Sequence, residues 1–409
     1  MKIAFIVGHF PALSETFILN QITGLIDRGH EVDVYAEKSR EEPETHPDVE
    51  KYGILSRTHY ELMPAGAFAR ALQSPGVLLS DSRHAPAMFV RSLNVFRYGM
   101  QAGSLRLFYA ARPFSLTRVY DVIHCHFGAN GLKGALLRDI GAIRGKLVTA
   151  FHGVDIVTDP QLFGRRIYKL LFTMGDLFLP ISDRWNPLLL ELGCRAEKIL
   201  VHRMGVDCRR FSFKPRRART DGRVRIVTVA RLVEKKGIED GIRAVVKLAR
   251  EGHQNVEYHI VGDGPLREQL RRVIQELNAA DTIKLLGAKR QPEVHEILND
   301  ADIFLAPSFT GADGDIEGIP VSIMEAMATG LPAVSTRHAG IPELIQDGVS
   351  GFLVPERDVD ALAERLGYLL KNPHLRPEMG WKGHVDVSQH YNIDELNDTL
   401  VGIYQRLMS

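Results

Sequence analysis

Short apolar runs, of the kind that bury both faces of a strand, recur at 2–8, 31–36, 120–126, 146–151 and 176–181, with 198–203 as a sixth. Helical patterns separate them at 14–28, 130–143, 161–174 and 183–193, and a longer helical insertion fills 62–112. The same theme then restarts, with strands at 224–230, 256–261, 282–286, 301–306, 332–335 and 351–354. Its helices fall at 237–251, 265–279, 291–299, 320–329, 340–346 and 358–371. Parallel strands need helical crossovers, so this alternation predicts an α/β chain of two doubly wound domains. The stretch 208–225 carries eight Arg or Lys against one Asp, includes Lys-Pro-Arg-Arg and Asp-Gly, and reads as the connection. Segment 391–408 is helical and is expected to return to the first domain. The predicted division is therefore 1–206 with 391–409, and 207–390.

Composition narrows the classes. The chain has 409 residues, 45% of them hydrophobic and 25% charged, as in an ordinary globular protein. A formal charge of +1 argues against a general nucleic-acid binder. Cys125, Cys194 and Cys208 are odd in number and widely spaced, so they suggest neither a disulfide framework nor a zinc site, and a reducing cytoplasm is expected. The opening residues Met-Lys-Ile-Ala-Phe-Ile-Val-Gly lack the long apolar core of a signal peptide. No run of eighteen apolar residues predicts a membrane span.

The chemistry starts from one isolated charge. Between 318 and 336 only Glu325 is charged, on a predicted helix that is otherwise apolar or small. Pro320 suits its first position and Gly330 the residue past its end. Such a helix is normally buried and an unpaired buried carboxylate is costly, so a partner is expected, a cation or a group of hydroxyls such as a ribose. In doubly wound sheets ligands gather at the carboxyl ends of strands. Strand 224–230 runs into Ala-Arg-Leu-Val-Glu-Lys-Lys-Gly, where Arg231 and Lys236 could meet one anion, a fork and a point charge suited to a diphosphate. Two solvated loop cations are the plain alternative. Strand 256–261 ends in Gly262-Asp263-Gly264-Pro265, bare backbone that suits either a ligand or a tight turn. Strand 301–306 leads through 307–317 to the helix, whose first N–H groups at Gly318, Ile319 and Val321 suit a phosphate.

As a set, these residues resemble family 4 glycosyltransferases. Glu317 and Glu325 are separated by seven residues in Glu-Gly-Ile-Pro-Val-Ser-Ile-Met-Glu-Ala-Met-Ala-Thr-Gly-Leu-Pro, similar to that family's E-x7-E signature. Val-Ala-Arg-Leu-Val-Glu-Lys-Lys-Gly, Val-Gly-Asp-Gly-Pro, Gly-Val-Asp at 205–207 and Ala-Phe-His-Gly-Val-Asp at 150–155 match in order, so the resemblance covers nearly the whole chain. Phe-Pro-Ala-Leu-Ser-Glu-Thr-Phe-Ile-Leu-Asn-Gln at 10–21 and Thr-Gly-Ala-Asp-Gly-Asp-Ile-Glu-Gly-Ile-Pro at 310–320 resemble the exopolysaccharide branch, which includes colanic-acid biosynthesis glycosyltransferases.

The resemblance implies a GT-B fold, two Rossmann-like domains facing across a cleft, and transfer of a hexosyl unit with retained configuration. The donor would be a UDP- or GDP-linked sugar, and the acceptor a glycan, expected to be a lipid-linked exopolysaccharide repeat unit. It further implies that Arg231 and Lys236 hold the donor diphosphate, Glu325 the ribose, and Glu317 the transferred sugar beside the backbone of Gly318 and Ile319. His152 would reach the sugar from the first domain, with the leaving phosphate helping to deprotonate the acceptor. Asp155 would lie on the acceptor side or only cap the next segment. Many relatives carry a glycine pair after the first strand, whereas here Gly8 is followed by His9-Phe10-Pro11, with Ser14 or the nearby turn as the helix cap. An acceptor contact is the expectation for Gly8 and His9.

Three other patterns admit more than one reading. Asp313-Gly314-Asp315 resembles a D-x-D metal motif but reads as a turn, so neither a metal nor any other cofactor is expected. His124 and His126 share a strand face, with packing preferred to metal binding. Segment 65–120 carries seven arginines and one acid, Asp81, interleaved with aromatic and other apolar residues from Phe68 to Phe114, which suits docking on the anionic inner face of a membrane or an ordinary amphipathic insertion with a basic outer face. The alternatives on the same fold are a sucrose- or glycogen-synthase-like transferase with a soluble acceptor, and an inactive nucleotide-sugar-binding partner protein.

Overall fold

The structure is a computed structural model and describes residues 1–12, 15–39, 46–81, 85–114, 118–216, 219 and 221–409. The chain divides into two compact units, Met1–His202 with Asn397–Ser409, and Arg203–Leu396.

The first unit is built on a six-stranded sheet of β1 (Lys2–His9), β2 (Glu31–Lys38), β3 (Thr58–Tyr60), β4 (Arg118–His126), β5 (Ile143–Phe151) and β6 (Leu177–Pro180). Its order is β3-β2-β1-β4-β5-β6 and every pairing is parallel, with Ile3 beside Val122 and Phe5 beside His124. Strand β1 is buried from Ile3 to Val7, as a sheet covered on both faces requires. Leu400, Ile403 and Tyr404 of the last helix, Ile393–Met408, complete that core, and Arg28 Nε meets Asp398 Oδ1 at 2.6 Å.

The second unit repeats the topology with β7 (Val224–Val229), β8 (Val256–Val261), β9 (Ile283–Gly287), β10 (Ile303–Ala306), β11 (Ala333–Thr336) and β12 (Gly351–Val354), again all parallel, in the order β12-β11-β10-β7-β8-β9. Both orders reverse direction once, between β1 and β4 and between β7 and β10. The crevice at that reversal is where doubly wound sheets bind ligands.

Several sequence expectations are corrected. Segment 198–203 is not a strand: after a single turn at Ala196–Lys198 it makes one isolated bridge, Ile199 to Phe178. The sixth strand is Thr58–Tyr60 at the opposite edge, paired to β2. The helix expected at 161–174 is two, Val154–Phe163 and Lys169–Met174, broken after Gly164 at φ 91°. The helix Leu375–His390 has no counterpart in the sequence reading. Pro320 caps its helix from outside, and the helix proper is Val321–Ala328.

The basic stretch 208–225 also differs from a free connection, because Arg216 fastens it to the second unit. Its guanidinium donates to the carbonyls of Leu298, Asn299 and Ala301 at 2.9, 3.0 and 3.1 Å, and to Thr329 O at 2.6 Å. These lie at the carboxyl ends of helices Gln291–Asn299 and Val321–Ala328, where unpaired carbonyls and the helix dipole favour a cation.

Candidate functional site

The chain after β7 is shaped by backbone contact. A Cβ on Gly262 would sit 1.8 Å from Ala230 O, and one on Gly264 would sit 2.6 Å from Leu232 O. Leu232 N–H donates to Asp263 O at 2.9 Å, so the two strand ends are pinned together. The bare backbone of Gly262 and Gly264 is therefore needed to seat the 230–232 segment, from which Arg231 projects into solvent. Arg231 has no ion pair among the described residues.

The turn Glu234–Lys236 then holds the loop that follows β10. Lys235 Nζ lies 2.9 Å from both Asp315 Oδ1 and Ile316 O, and Phe309 N–H donates to Lys235 O at 2.9 Å. Lys236 Nζ meets Glu317 Oε1 at 2.6 Å. The sequence-predicted Lys236 and Glu317 are thus in direct contact. Glu317 is 6% exposed. Burial alone would raise its pKa, but Lys236, with Lys235 behind it, holds the carboxyl below its usual range. Asp313 Oδ1 accepts the Asp315 N–H at 2.9 Å, so the D-x-D-like residues form a turn with Asp315 paired to Lys235. Among the described residues no group of three or more His, Cys, Asp or Glu is disposed to hold a metal ion.

Glu325 projects from helix Val321–Ala328 between the buried Met324 and Ala326. Burial pushes its pKa up to about 8, against a hydrogen bond from Gln291 and the nearby charge of Arg210, whose guanidinium also donates to Gln291 Oε1. The partner demanded by the sequence is met in part by Gln291 and Arg210, and burial shifts Glu325 toward its protonated form. The N–H groups of Gly318, Ile319 and Val321 have no hydrogen-bond partner among the described residues.

In the first unit His152 follows β5 directly and is 8% exposed. Its Nε2 lies 3.0 Å from His126 Nδ1, while its Nδ1 has no partner among the described residues. Phe17 and Phe127 flank the ring at 4.9 and 4.4 Å. Burial drives its pKa down to about 3, so His152 is neutral at physiological pH. His124 and His126 stack on Phe5 at 5.1 and 5.7 Å, and His124 Nδ1 hydrogen-bonds to the Tyr404 hydroxyl at 2.5 Å, which makes them packed core groups. Asp155 faces inward at 1% exposure. Its oxygens accept the N–H groups of Gly128, His152 and Gly153, each at 2.9 Å, so it fastens the loop that carries His152. That anchoring is close to the capping alternative for Asp155. Gly8 and His9 end β1 at the sheet's reversal, with His9 exposed. Ser14 lies outside the described residues.

Lys235, Gln291, Arg210, His338 and Glu356 were not singled out from sequence. His338 stands two residues past β11, as Arg231 stands two past β7, so the strand-end rule could have found it.

Comparison with known proteins places this arrangement. The family model described as glycosyl transferases group 1 matches residues 210–384, and that of glycosyltransferase family 4 matches residues 14–210. The chain is 42% identical over 410 residues, all of both chains, to a colanic acid biosynthesis glycosyltransferase named WcaL from Salmonella typhimurium. It is 42% identical over 371 residues, 89% of each chain, to the amylovoran biosynthesis glycosyltransferase AmsK of Erwinia amylovora. Among solved structures, Anabaena HepE in complex with UDP superposes with a TM-score of 0.73 at 19% identity, covering 99% of this chain and 100% of that one, which shows the same GT-B fold. With both family models in sequence and whole-length identity to WcaL, the chain belongs to the family 4 glycosyltransferases, in the exopolysaccharide-biosynthesis branch.

Proposed function

We propose that this glycosyltransferase moves a hexosyl unit, with retained configuration and without a metal, from a UDP- or GDP-sugar to a lipid-linked glycan acceptor. The observation that carries the reading is the buried Lys236–Glu317 contact of 2.6 Å, which joins the segments that follow the two strands flanking the sheet reversal; the exposed Arg231, with no ion pair among the described residues, lies on the first of those segments. A diphosphate would engage Arg231 and Lys236, whose charges offset the charge that develops on the leaving group. Glu317, kept ionised, accepts hydrogen bonds from hydroxyls of the transferred sugar. Glu325, shifted toward its protonated form, can both donate to and accept from ribose hydroxyls. His152, neutral and with Nδ1 open, serves as a hydrogen-bonding ring rather than a proton donor. The anomeric carbon exchanges its bond to phosphate for one to the acceptor oxygen, and the acceptor's proton passes to the departing phosphate.

Hydrolysis of UDP-glucose and GDP-mannose without acceptor, with and without excess EDTA, tests the core of this reading. Turnover of one of them that survives EDTA supports it. No turnover of either would favour a binding protein, and loss in EDTA restored by Mg²⁺ or Mn²⁺ would overturn metal independence.

The lipid-linked acceptor draws support from the helical insertion. Phe68 (82% exposed), Leu79 (73%), Met100 (80%) and the wholly exposed Phe96 stand among the exposed Arg91 and Arg106. Apolar and cationic groups together suit an anionic lipid surface. No helix among the described residues is long and apolar enough to cross a membrane. Salt-sensitive binding to phosphatidylglycerol vesicles is expected, and no binding at low ionic strength would refute this part.

A further inference from the structure

The loop that carries Glu317 is held by a chain of hydrogen bonds that the proposed reaction does not use. His338 lies at its centre and is 1% exposed. The Glu317 backbone N–H donates to His338 Nε2 at 3.1 Å. On the far side of the ring, Nδ1 lies 2.7 Å from Glu356 Oε1. The other oxygen of Glu356 accepts the Thr310 N–H at 2.9 Å. Thr310 and Glu317 bracket the loop, so one histidine and one carboxylate grip it at both ends.

The protons in this chain can be assigned. A backbone N–H can only donate, so His338 Nε2 is the bare nitrogen and the ring proton sits on Nδ1, pointing at Glu356. Glu356 then accepts two N–H groups, one on each oxygen. A carboxylate can do this and an amide cannot, because either orientation of a glutamine sets its NH₂ against an N–H. A glutamine whose oxygen faces Thr310 would turn its NH₂ on the ring and favour the opposite tautomer, which aims an N–H at the Glu317 N–H. The exposed flank of Glu356 makes a general packing role for it weak, since 33% of its side chain meets solvent.

We infer that His338 and Glu356 are positioning residues that fix, through a single histidine tautomer, the backbone from which Glu317 addresses the transferred sugar. This rests on the reading of Glu317 given above. Neither residue need touch substrate.

The test is Glu356→Gln, which keeps shape and removes one acceptor, assayed beside Glu317→Gln on whichever of UDP-glucose and GDP-mannose the wild type turns over. The expected result is a kcat lower by roughly 10- to 100-fold, the cost of a small misplacement of a reacting group. KM for the donor and the melting temperature should stay near those of the wild type. Spectra of ¹⁵N-histidine-labelled wild type should show His338 protonated on Nδ1, and the Glu356→Gln spectra should show it on Nε2. Wild-type kcat in Glu356→Gln while Glu317→Gln is slow would overturn the positioning role alone. Unchanged turnover in Glu317→Gln would overturn the reading of Glu317 and this inference with it. A kcat loss matched by a fall in melting temperature would reduce the pair to structural support. An Nε2-protonated His338 in the wild type refutes the assignment even if no variant folds.

Discussion

Lys236→Met separates what Lys236 does for the fold from what it does for transfer. The substitution keeps the methylene stem and removes the cation that lies 2.6 Å from Glu317, a carboxylate only 6% exposed. Removing one partner of a buried pair costs about 3–5 kcal/mol, because the other charge is left uncompensated. Lys235 still bears on Glu317, and the carboxyl can take up a proton, so the lower end, about 3 kcal/mol, is expected at pH 7.5. For a unit of this size that corresponds to a fall of roughly 6–12 °C in melting temperature.

The pH dependence follows from the direction of the shift. In the wild type the Glu317 pKa is depressed, so its stabilising contribution is present above the unfolded pKa and is lost as pH falls through the folded one. In Lys236→Met burial wins and the folded pKa rises. The variant's deficit should then grow as pH climbs above the unfolded value of about 4.3 and nearly vanish below it. The double variant Lys236→Met/Glu317→Gln carries no buried charge at this pair and should regain most of the lost melting temperature. Its turnover should stay down by about 100- to 1,000-fold, since the diphosphate still lacks its cation. Thermal melts at pH 4.5 and 7.5 with initial rates of donor turnover supply both readouts. A Lys236→Met protein that melts like the wild type at pH 7.5, or a double variant that recovers turnover, would refute the reasoning.

Glu325→Gln should stabilise the second unit and weaken donor binding at once. With a folded pKa of about 8, Glu325 costs stability increasingly from its unfolded pKa up to that value, by at most about 1.4 kcal/mol per pH unit, so the gain should be absent near pH 4 and largest near pH 8 in thermal melts. Donor affinity by calorimetry should fall while kcat changes less, and an equal change in both would return Glu325 and Glu317 to a single functional pair. Arg216→Ala should destabilise the second unit by about 2–3 kcal/mol in urea melts, because the carbonyls at two helix ends lose their donor, and a change below about 0.5 kcal/mol would mean that the stretch is a passive tether.

The strands of the second unit were legible because their apolar runs are short, continuous and bounded by turn residues, as in Val256–Val261 and Gly351–Val354. Thr58–Tyr60 was not, since three residues at a sheet edge carry no period. Leu375–His390 escaped because its buried side includes Arg376, Gly380 and Gly383, which blur the apolar stripe. In the site, Lys236 could be read because it follows a strand end at the sheet reversal, and Glu317 because its spacing from Glu325 resembles the family signature. What Glu325 meets could not be: Gln291 and Arg210 reach it from other elements, and only the fold brings them together. The grip of Glu356 on His338 spans 18 residues, and no local spacing announces it.

The backbone crowding at Gly262, Gly264 and Gly237 bears on how substitution maps of this enzyme should be read. A Cβ on Gly237 would fall 1.9 Å from Pro307 O, as one on Gly262 would fall 1.8 Å from Ala230 O. In a saturation scan these glycines would rank with Lys236 and Glu317 as intolerant, although none of them needs to touch a sugar or a phosphate. The two kinds of intolerance have different fingerprints. At Lys236 the loss should follow the charge of the replacement, with Arg milder than Met, whereas at Gly262 even Ala should fail and every larger residue should fail alike. A ranking by severity alone would not separate backbone crowding from charge at the site.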